Sequence, residues 1–537
     1  MSRGLGDVYK RQGTRRNLLM KKIIIVGGGI AGLAAGIYGL KAGMAAEIYE
    51  KNPVAGGSCS GWYSGDYFID NCIHWLTGTK PDTPQYGIWQ ELGVIRAGEA
   101  FVERSSFYRS ELDGQTITLW RDIDRTEKEM LELSPEDRDE IHRFIEYTKL
   151  GVNLQEPREN TLDIFDAFKE LGGSGNHSKI LKTMIEYMGM NLEDLSGRFK
   201  HPLLKKVMLD FMAKEYEAYW LVMAYAFFTA GNGDLLKGGS VEIVRRMEKQ
   251  FNELGGILHF NSPVSSIIID KRKFNMNIPV FDKKSVNFYS MKKITARNAK
   301  GIELADGTQI EADYIICACD INYTFNTLLG KKYTPRSVRA VYKDRKNNPV
   351  YSSFQAAFAV DSPVDEIDDT LSFDCEPVDV GCHSYNRICV KNYRIYGDFI
   401  APKGHTVLQC SIVQYKEDYR FWEKLYENRD RYNMMKHNIA EAIRYRIETK
   451  FPQYADRIKV IDSWTPATYA HRDNCYKGAY MRFITTATNR NAFLSSGIRG
   501  LRNVVLASHW LRYPGGVPTA AAMGRHAVRI VEKINGE

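Results

Sequence analysis

At 537 residues, 44% hydrophobic and 26% charged, the chain can bury a large core spread over two domains, and its composition is that of a globular enzyme rather than a disordered or fibrous protein. The formal net charge of +8 overstates its basicity, because Arg3, Lys10, Arg11, Arg15 and Arg16 stand against Asp7 in residues 1–19, and the remainder is too small to point to nucleic acid. The nine cysteines are odd in number and scattered without paired CxxC spacing, which gives no metal site and fits a reducing cytoplasm.

Residues 1–19 lack the apolar core of a secretory signal. They can be read as a basic arm or a transit segment, and we read them as a misassigned start, with Met20 opening the chain proper. From Ile23 a run of β-formers leads into Gly27-x-Gly29-x-x-Gly32 and a helical pattern, and a second apolar strand, Ala45 to Tyr49, ends at Glu50. Each part of this βαβ unit has a job in binding a dinucleotide. Gly27 permits the sharp turn out of the strand, Gly29 lets backbone N–H groups approach a pyrophosphate, and Gly32 lets helix and sheet pack closely. The helix N-terminus faces the phosphates with partial positive charge. Glu50, 18 residues after Gly32, is placed to accept hydrogen bonds from ribose hydroxyls. A bare strand-to-helix turn would carry the glycines without the acid. The second glycine pair, Gly56-Gly57, can return backbone to the pyrophosphate, as a stationary flavin dinucleotide requires.

Alternation around Asp113-Gly114 predicts a hairpin over residues 101–120, and Ser134-Pro135-Glu136-Asp137 predicts a capped helix start. Helical periodicity continues to about Ala230, with loops near residues 172–175 and 231–233. Residues 218–230 (AYWLVMAYAFFTA) are too short to span a bilayer and read as a buried helix, or as the wall of an apolar tunnel. Cys317 and Cys319 read as two buried thiols on one side of a parallel strand. Residues 350–413 read as antiparallel strands turning at Pro402-Lys403-Gly404, residues 418–451 as a helical stretch with a charged face, and residues 503–535 as a strand and a closing helix.

The extended Gly27–Gly57 motif resembles the FAD-dependent amine oxidase superfamily, and later segments resemble its phytoene desaturase branch of carotenoid desaturases, carotenoid isomerases and retinol saturases. These segments are Gly65-Asp66-Tyr67-Phe68-Ile69-Asp70, Gly238-Gly239-Ser240, Gly255-Gly256-Ile257 with Ser262-Pro263-Val264, and Asp306-Gly307 with residues 312–316. Thr465-Pro466-Ala467-Thr468-Tyr469, Lys477-Gly478-Ala479-Tyr480 and Pro514-Gly515-Gly516-Val517-Pro518 complete the series. The resemblance implies an α/β fold, with a discontinuous Rossmann-like FAD-binding domain (20–90, 235–345 and 495–537) and an inserted α+β substrate domain (91–234 and 346–494) carrying an antiparallel sheet. It implies FAD contacts at Gly27, Gly29, Ile30, Ala31, Gly32, Glu50, Lys51, Gly56, Gly57, Ser58 and Val264. Gly515, Gly516, Val517 and Pro518 would add the N-terminus of a last helix beginning near Val517-Pro518. The chain departs from the family where Ser58-Cys59 stands in place of an Arg, where the late loop has two glycines instead of three, and where residues 271–293 look inserted. These departures argue against naming one carotenoid.

The flavin does the redox work and hydride transfer depends on alignment, so no acid/base pair is required and no catalytic side chain is assigned. His74 and His509 read as structural hydrogen-bonders as readily as proton carriers, and Tyr469, Arg472 and Tyr480 as packing residues as readily as residues facing the ring. The expected activity is hydride transfer between FAD and an apolar polyene, isoprenoid or lipid, taken by a cytoplasmic protein from a membrane surface. A flavin amine oxidase is the alternative, to be told apart by an aromatic cage, and a scaffold that has lost its cofactor is a third reading. One dinucleotide fingerprint gives no second NAD(P) site, so the electron partner is open among oxygen, a quinone and a carrier protein.

Overall fold

The computed structural model describes residues 20–152, 184–281, 289–489 and 494–536. The basic leader and the loop expected at residues 172–175 lie outside them. Strand β1 (Lys22–Val26) runs through Gly27 into helix α1 (Ile30–Lys41) and back along β2 (Ala45–Tyr49). Three further strands, β3 (Ile257–His259), β4 (Tyr314–Cys317) and β5 (Val504–Leu506), join them in a five-stranded, all-parallel sheet of order β3-β2-β1-β4-β5. Its centre is apolar on both faces, as a parallel sheet covered on both sides requires. Ile23 and Ile25 pack into the core under α1, while Ile24 and Val26 pack into the core on the opposite face.

Three glycines set the helix spacing on this sheet. A Cβ on Gly32 would lie 1.9 Å from the Gly27 carbonyl oxygen, and one on Gly36 would lie 2.5 Å from the Phe251 ring. A Cβ on Gly524 would lie 2.6 Å from the Ala31 carbonyl oxygen, so the closing helix (Gly516–Gly536) presses directly on α1. The segment that looked inserted pairs its two arms, Phe274–Phe281 and Tyr289–Ala296, as a two-stranded sheet of its own.

The second layer is a seven-stranded sheet. In chain order its strands span Ser106–Leu112, Gln115–Trp120, Ser352–Val360, Thr370–Val380, His383–Asn392, Thr406–Gln414 and Ile458–Trp464. It is antiparallel as expected except at one place, where Thr370–Val380 runs parallel to Ser106–Leu112 and adds the early hairpin to the later strands. The early hairpin itself begins at Ser106, and Phe101–Val102 pairs elsewhere, with Leu235–Leu236.

Three local expectations are corrected. Ser134 does not cap an α-helix; a 3-10 turn, Pro135–Asp137, comes first and the α-helix starts at Arg138. The Asp137 carboxylate accepts from the Lys200 and His201 amides and from Ser134 Oγ, so the Ser134 hydroxyl is turned to Asp137 and not to a helix amide. Residues 418–451 form two helices, Lys416–Tyr426 and Arg429–Lys450, with the Asn428 side chain capping the second through the Arg431 amide. Strand β4 ends at Cys317, so Cys317 is buried in the sheet while Cys319 lies past its end, on a cavity wall.

Candidate functional site

A cavity of about 950 Å³ runs from the carboxyl end of the parallel sheet to the helices flanking the larger sheet. One end is the turn after β1. Gly27 leaves the strand at φ +104°, a conformation that favours glycine. The Gly28 amide donates to Glu50 Oε2 at 2.7 Å and the Asn52 amide to Glu50 Oε1 at 2.9 Å, so the buried carboxylate ties the glycine turn to the end of β2. Gly56 returns to this turn. Its amide donates to the Gly28 carbonyl at 2.9 Å, and Gly29 and Gly56 bridge in parallel. A Cβ on Gly29 would sit only 3.7 Å from the Gly56 carbonyl oxygen, so two backbones meet here with no side chain between them.

Gly27, Gly29, Ile30, Ala31, Glu50, Lys51, Gly56, Gly57, Ser58 and Val264 all line this end, and Gly515, Gly516, Val517 and Pro518 line it from the start of the last helix. That helix begins at Gly516, one residue earlier than expected, with Gly515 and Gly516 at φ +89° and +80°. Gly32 is not part of the wall and does its work in packing. Lys51 and Ser58 are turned toward a neighbour the sequence did not reveal. Lys51 Nζ donates to the His471 carbonyl (2.9 Å) and to Asn474 Oδ1 (3.0 Å), and Ser58 Oγ donates to Asp473 Oδ2 (3.0 Å). Arg472 donates to the Gly57 carbonyl at 2.8 Å and to Ser60, outside the cavity wall. The end of helix Pro466–Asp473 therefore clamps the glycine-pair loop, and no local pattern could signal that pairing across some four hundred residues.

The middle of the cavity holds the two histidines. Burial, and then the nearby Lys391 cation, pulls His74 down to about 3; burial, and then Arg482, pulls His509 down to about 4. Both rings are neutral at pH 7. Tyr469 and Tyr480 are packed together with ring centres 5.0 Å apart. The Tyr469 hydroxyl donates to Asn71 Oδ1 and accepts from Gln355 Nε2 and Trp464 Nε1, which makes it a fastening point between layers.

The far end is apolar. Helix Ala218–Thr229 is both things the sequence allowed: it is buried, and Tyr219, Trp220, Met223 and Phe227 form its share of the wall. Opposite them Trp75 packs edge-on against Phe107 (5.0 Å) and beside Phe211 (6.4 Å). Ionisable groups also reach the wall, among them a bidentate Arg387–Asp210 pair and the cations Arg104 and Lys391, which stand on Asp369 behind it. Among the described residues there is no metal-binding cluster, and no helix is long and apolar enough to cross a membrane.

Comparison with known proteins gives a consistent picture. The family model described as flavin containing amine oxidoreductase matches residues 30–531. A 4,4'-diapophytoene desaturase (4,4'-diapolycopene-forming) of Methylomonas sp is 22% identical over 86% of this chain and 84% of its own length. A 4,4'-diaponeurosporene oxygenase of Staphylococcus aureus (strain bovine RF122 / ET3-1) is 22% identical over 58% of each chain, so the match spans little more than half of that relative. In fold the chain is similar to an oxidoreductase from Methanosarcina mazei, with a TM-score of 0.56 at 16% identity, covering 95% of this chain and 99% of that one.

Proposed function

The chain belongs to the flavin containing amine oxidoreductase family and is an FAD-dependent oxidoreductase; from that premise we propose that it transfers a hydride between FAD and a long apolar polyene, isoprenoid or lipid. The single observation that carries the substrate class is the far end of the cavity, walled by Trp75, Phe107, Tyr219, Trp220, Met223 and Phe227. The names of the desaturase and oxygenase relatives support the same class.

The near end fits FAD. The Gly29–Gly56 approach leaves backbone bare where a pyrophosphate would lie, and Glu50 is held by two backbone amides at the end of β2, where a ribose would meet it. Gly27, Gly29, Gly56 and Gly57 would hold the dinucleotide, with Ile30 and Ala31 at the first turn of α1 and Val264 flanking it. Gly515 to Pro518 would present the N-terminus of the last helix to the ring system. Gly32 contributes indirectly, by seating α1. Bound FAD supplies the two-electron centre at which hydride is gained or lost. The protein's part is to orient the substrate, to exclude water behind the aromatic wall, and to keep His74 and His509 neutral so that neither competes as a charge. In this reading residues 20–90, 235–345 and 495–537 form the FAD-binding domain and residues 91–234 and 346–494 the substrate domain. The membership of the two sheets supports that division.

The test is to mix the oxidised and the photoreduced holoprotein separately with polyenes or isoprenoid lipids in liposomes and with small amines. A change of flavin redox state with the apolar compounds alone is expected. Rapid flavin reduction by an amine, with no response to any apolar chain, would transfer the assignment to the amine oxidase alternative. Delivery from a membrane surface belongs to the same proposal, and cosedimentation with anionic liposomes checks it.

A further inference from the structure

A hydrocarbon substrate needs no ionised group in its tunnel, yet ionic clusters stand beside the aromatic wall of this cavity, and two of them differ in kind. The Arg387 guanidinium is fully engaged. It grips both oxygens of Asp210 at 2.7 Å, and its remaining N–H groups go to Asp374, Ser110 Oγ and the carbonyls of Glu111 and Ser372. Such a closed pair offers nothing to a ligand.

The second cluster is open. Arg104 and Asp369 form an ion pair at 2.5 Å, with both side chains 3% exposed. Lys391, 4% exposed, stands beside them with Nζ 3.6 Å from Asp369 Oδ1, beyond hydrogen-bonding reach. Two cations thus share one carboxylate. The other carboxylate that acts on Lys391, Asp70, is taken up by the Ser240 amide (2.7 Å), Ser240 Oγ (2.5 Å) and the Cys72 amide (3.1 Å). An ammonium has three N–H donors. Lys391 places one on the His74 carbonyl at 3.1 Å, and its other close neighbours are the Tyr393 and Tyr396 ring faces, 5.4 and 5.2 Å away. Arg104 donates to Asp369 and to the Gly233 carbonyl, and its Nε is buried with no partner. Burying a cation with donors unused is strongly unfavourable, so a purely structural role would be served better by an apolar side chain. Lys391, Arg104 and His74 all line the cavity, and Arg104 lies over the rings of Phe228 (4.9 Å) and Trp75 (5.9 Å), at the root of the aromatic wall.

We propose that Lys391 and Arg104 receive a carboxylate at one end of an otherwise apolar substrate, whose chain lies along the aromatic wall. The substrate class is then an acid-ended polyene or lipid rather than a bare hydrocarbon. This rests on the apolar-substrate reading above and narrows it.

The experiment titrates FAD-loaded protein at pH 7 with linoleic acid, linoleyl alcohol and a C18 diene hydrocarbon, following the perturbation of flavin absorbance. The wild type is expected to bind the acid at least ten-fold more tightly than the alcohol. Lys391→Met should lose that preference by weakening the acid ten-fold or more while leaving the alcohol within two-fold, and Lys391→Arg should restore most of it. Full flavin occupancy and an unchanged circular dichroism spectrum qualify each variant. Equal affinity of the wild type for all three ligands would overturn the acid-end proposal and leave the apolar-substrate reading standing. Absence of binding by all three would overturn both. If Lys391→Met keeps the acid preference and instead shifts the flavin reduction potential, the lysine serves the cofactor and the proposal fails.

Discussion

Glu50 is the residue on which the cofactor end turns, because its two oxygens already hold the Gly28 and Asn52 amides. A charged acceptor contributes on the order of 1.5–3 kcal/mol per bond. Glu50→Gln keeps one acceptor and sets an NH2 group against a backbone N–H. FAD retention is expected to weaken by roughly ten-fold or more, together with a lower melting temperature of the apoprotein, read by equilibrium dialysis and thermal unfolding. Unchanged flavin content would remove Glu50 from the site. Lys391 carries the pH dependence. Burial lowers it, Asp369 opposes the drop and Arg104 adds to it, leaving the ammonium at about 8. The cation is present below that value and lost as pH rises through it, so preference for an acid over the matching alcohol should fall between pH 7 and 9. Stability moves the other way. Between about 8 and the unfolded value of about 10.4 the unfolded chain binds the extra proton, so this group makes the protein more stable as pH rises. Unfolding midpoints of the wild type and Lys391→Met should therefore converge or cross on the alkaline side, and parallel profiles would contradict the assignment.

At the scale of single elements, the βαβ unit stands or falls on close approach. Gly32→Ala would place a methyl group 1.9 Å from the Gly27 carbonyl oxygen, which α1 can relieve only by lifting off the sheet. Overpacking of this kind costs about 1–3 kcal/mol or more, and here it also displaces the turn that faces the cofactor. Gly32→Ala is expected to yield protein poor in FAD even where it remains folded, measured as the ratio of flavin to protein absorbance. Helix Pro466–Asp473 is held by a capping box in which Thr465 Oγ1 accepts from the Ala467 amide and Thr468 Oγ1 accepts from the Thr465 amide. Thr465→Ala should cost about 1 kcal/mol by urea unfolding. Because the far end of that helix clamps Lys51, Gly57 and Ser58, it should also speed FAD release, which flavin fluorescence recovery reads directly.

For the whole molecule, the cavity is walled by both layers, so cofactor and fold are linked. At a hundred-fold excess of FAD over its dissociation constant the folded state gains about 2.7 kcal/mol. The melting temperature of the apoprotein should rise with FAD concentration. Proteolytic protection should extend beyond the glycine turn to helix Pro466–Asp473, whose contacts cross between the layers. Protection confined to residues near the glycine turn would mean that the layers respond independently.

The sequence by itself determined the family, the FAD chemistry and the βαβ unit, because each rests on short motifs whose residues are close along the chain, even where the motifs themselves are far apart. A strand, three spaced glycines, a helix and an acid can be read locally, and so can a thirteen-residue apolar run that is too short for a membrane. The corrections fall where a distant residue intervenes. Asp137 abandons its expected cap for the amides of residues 200 and 201, and strand Thr370–Val380 recruits an early hairpin in parallel. Only the tertiary structure decided that Arg472 meets Gly57, and that Arg104, Asp369 and Lys391 converge in one buried cluster. Their spacing in the chain follows no period. What brings them together is strand pairing within the seven-stranded sheet, where Thr370 lies opposite Lys391 and Leu371 opposite Arg109, and burial is what gives an otherwise ordinary lysine its significance.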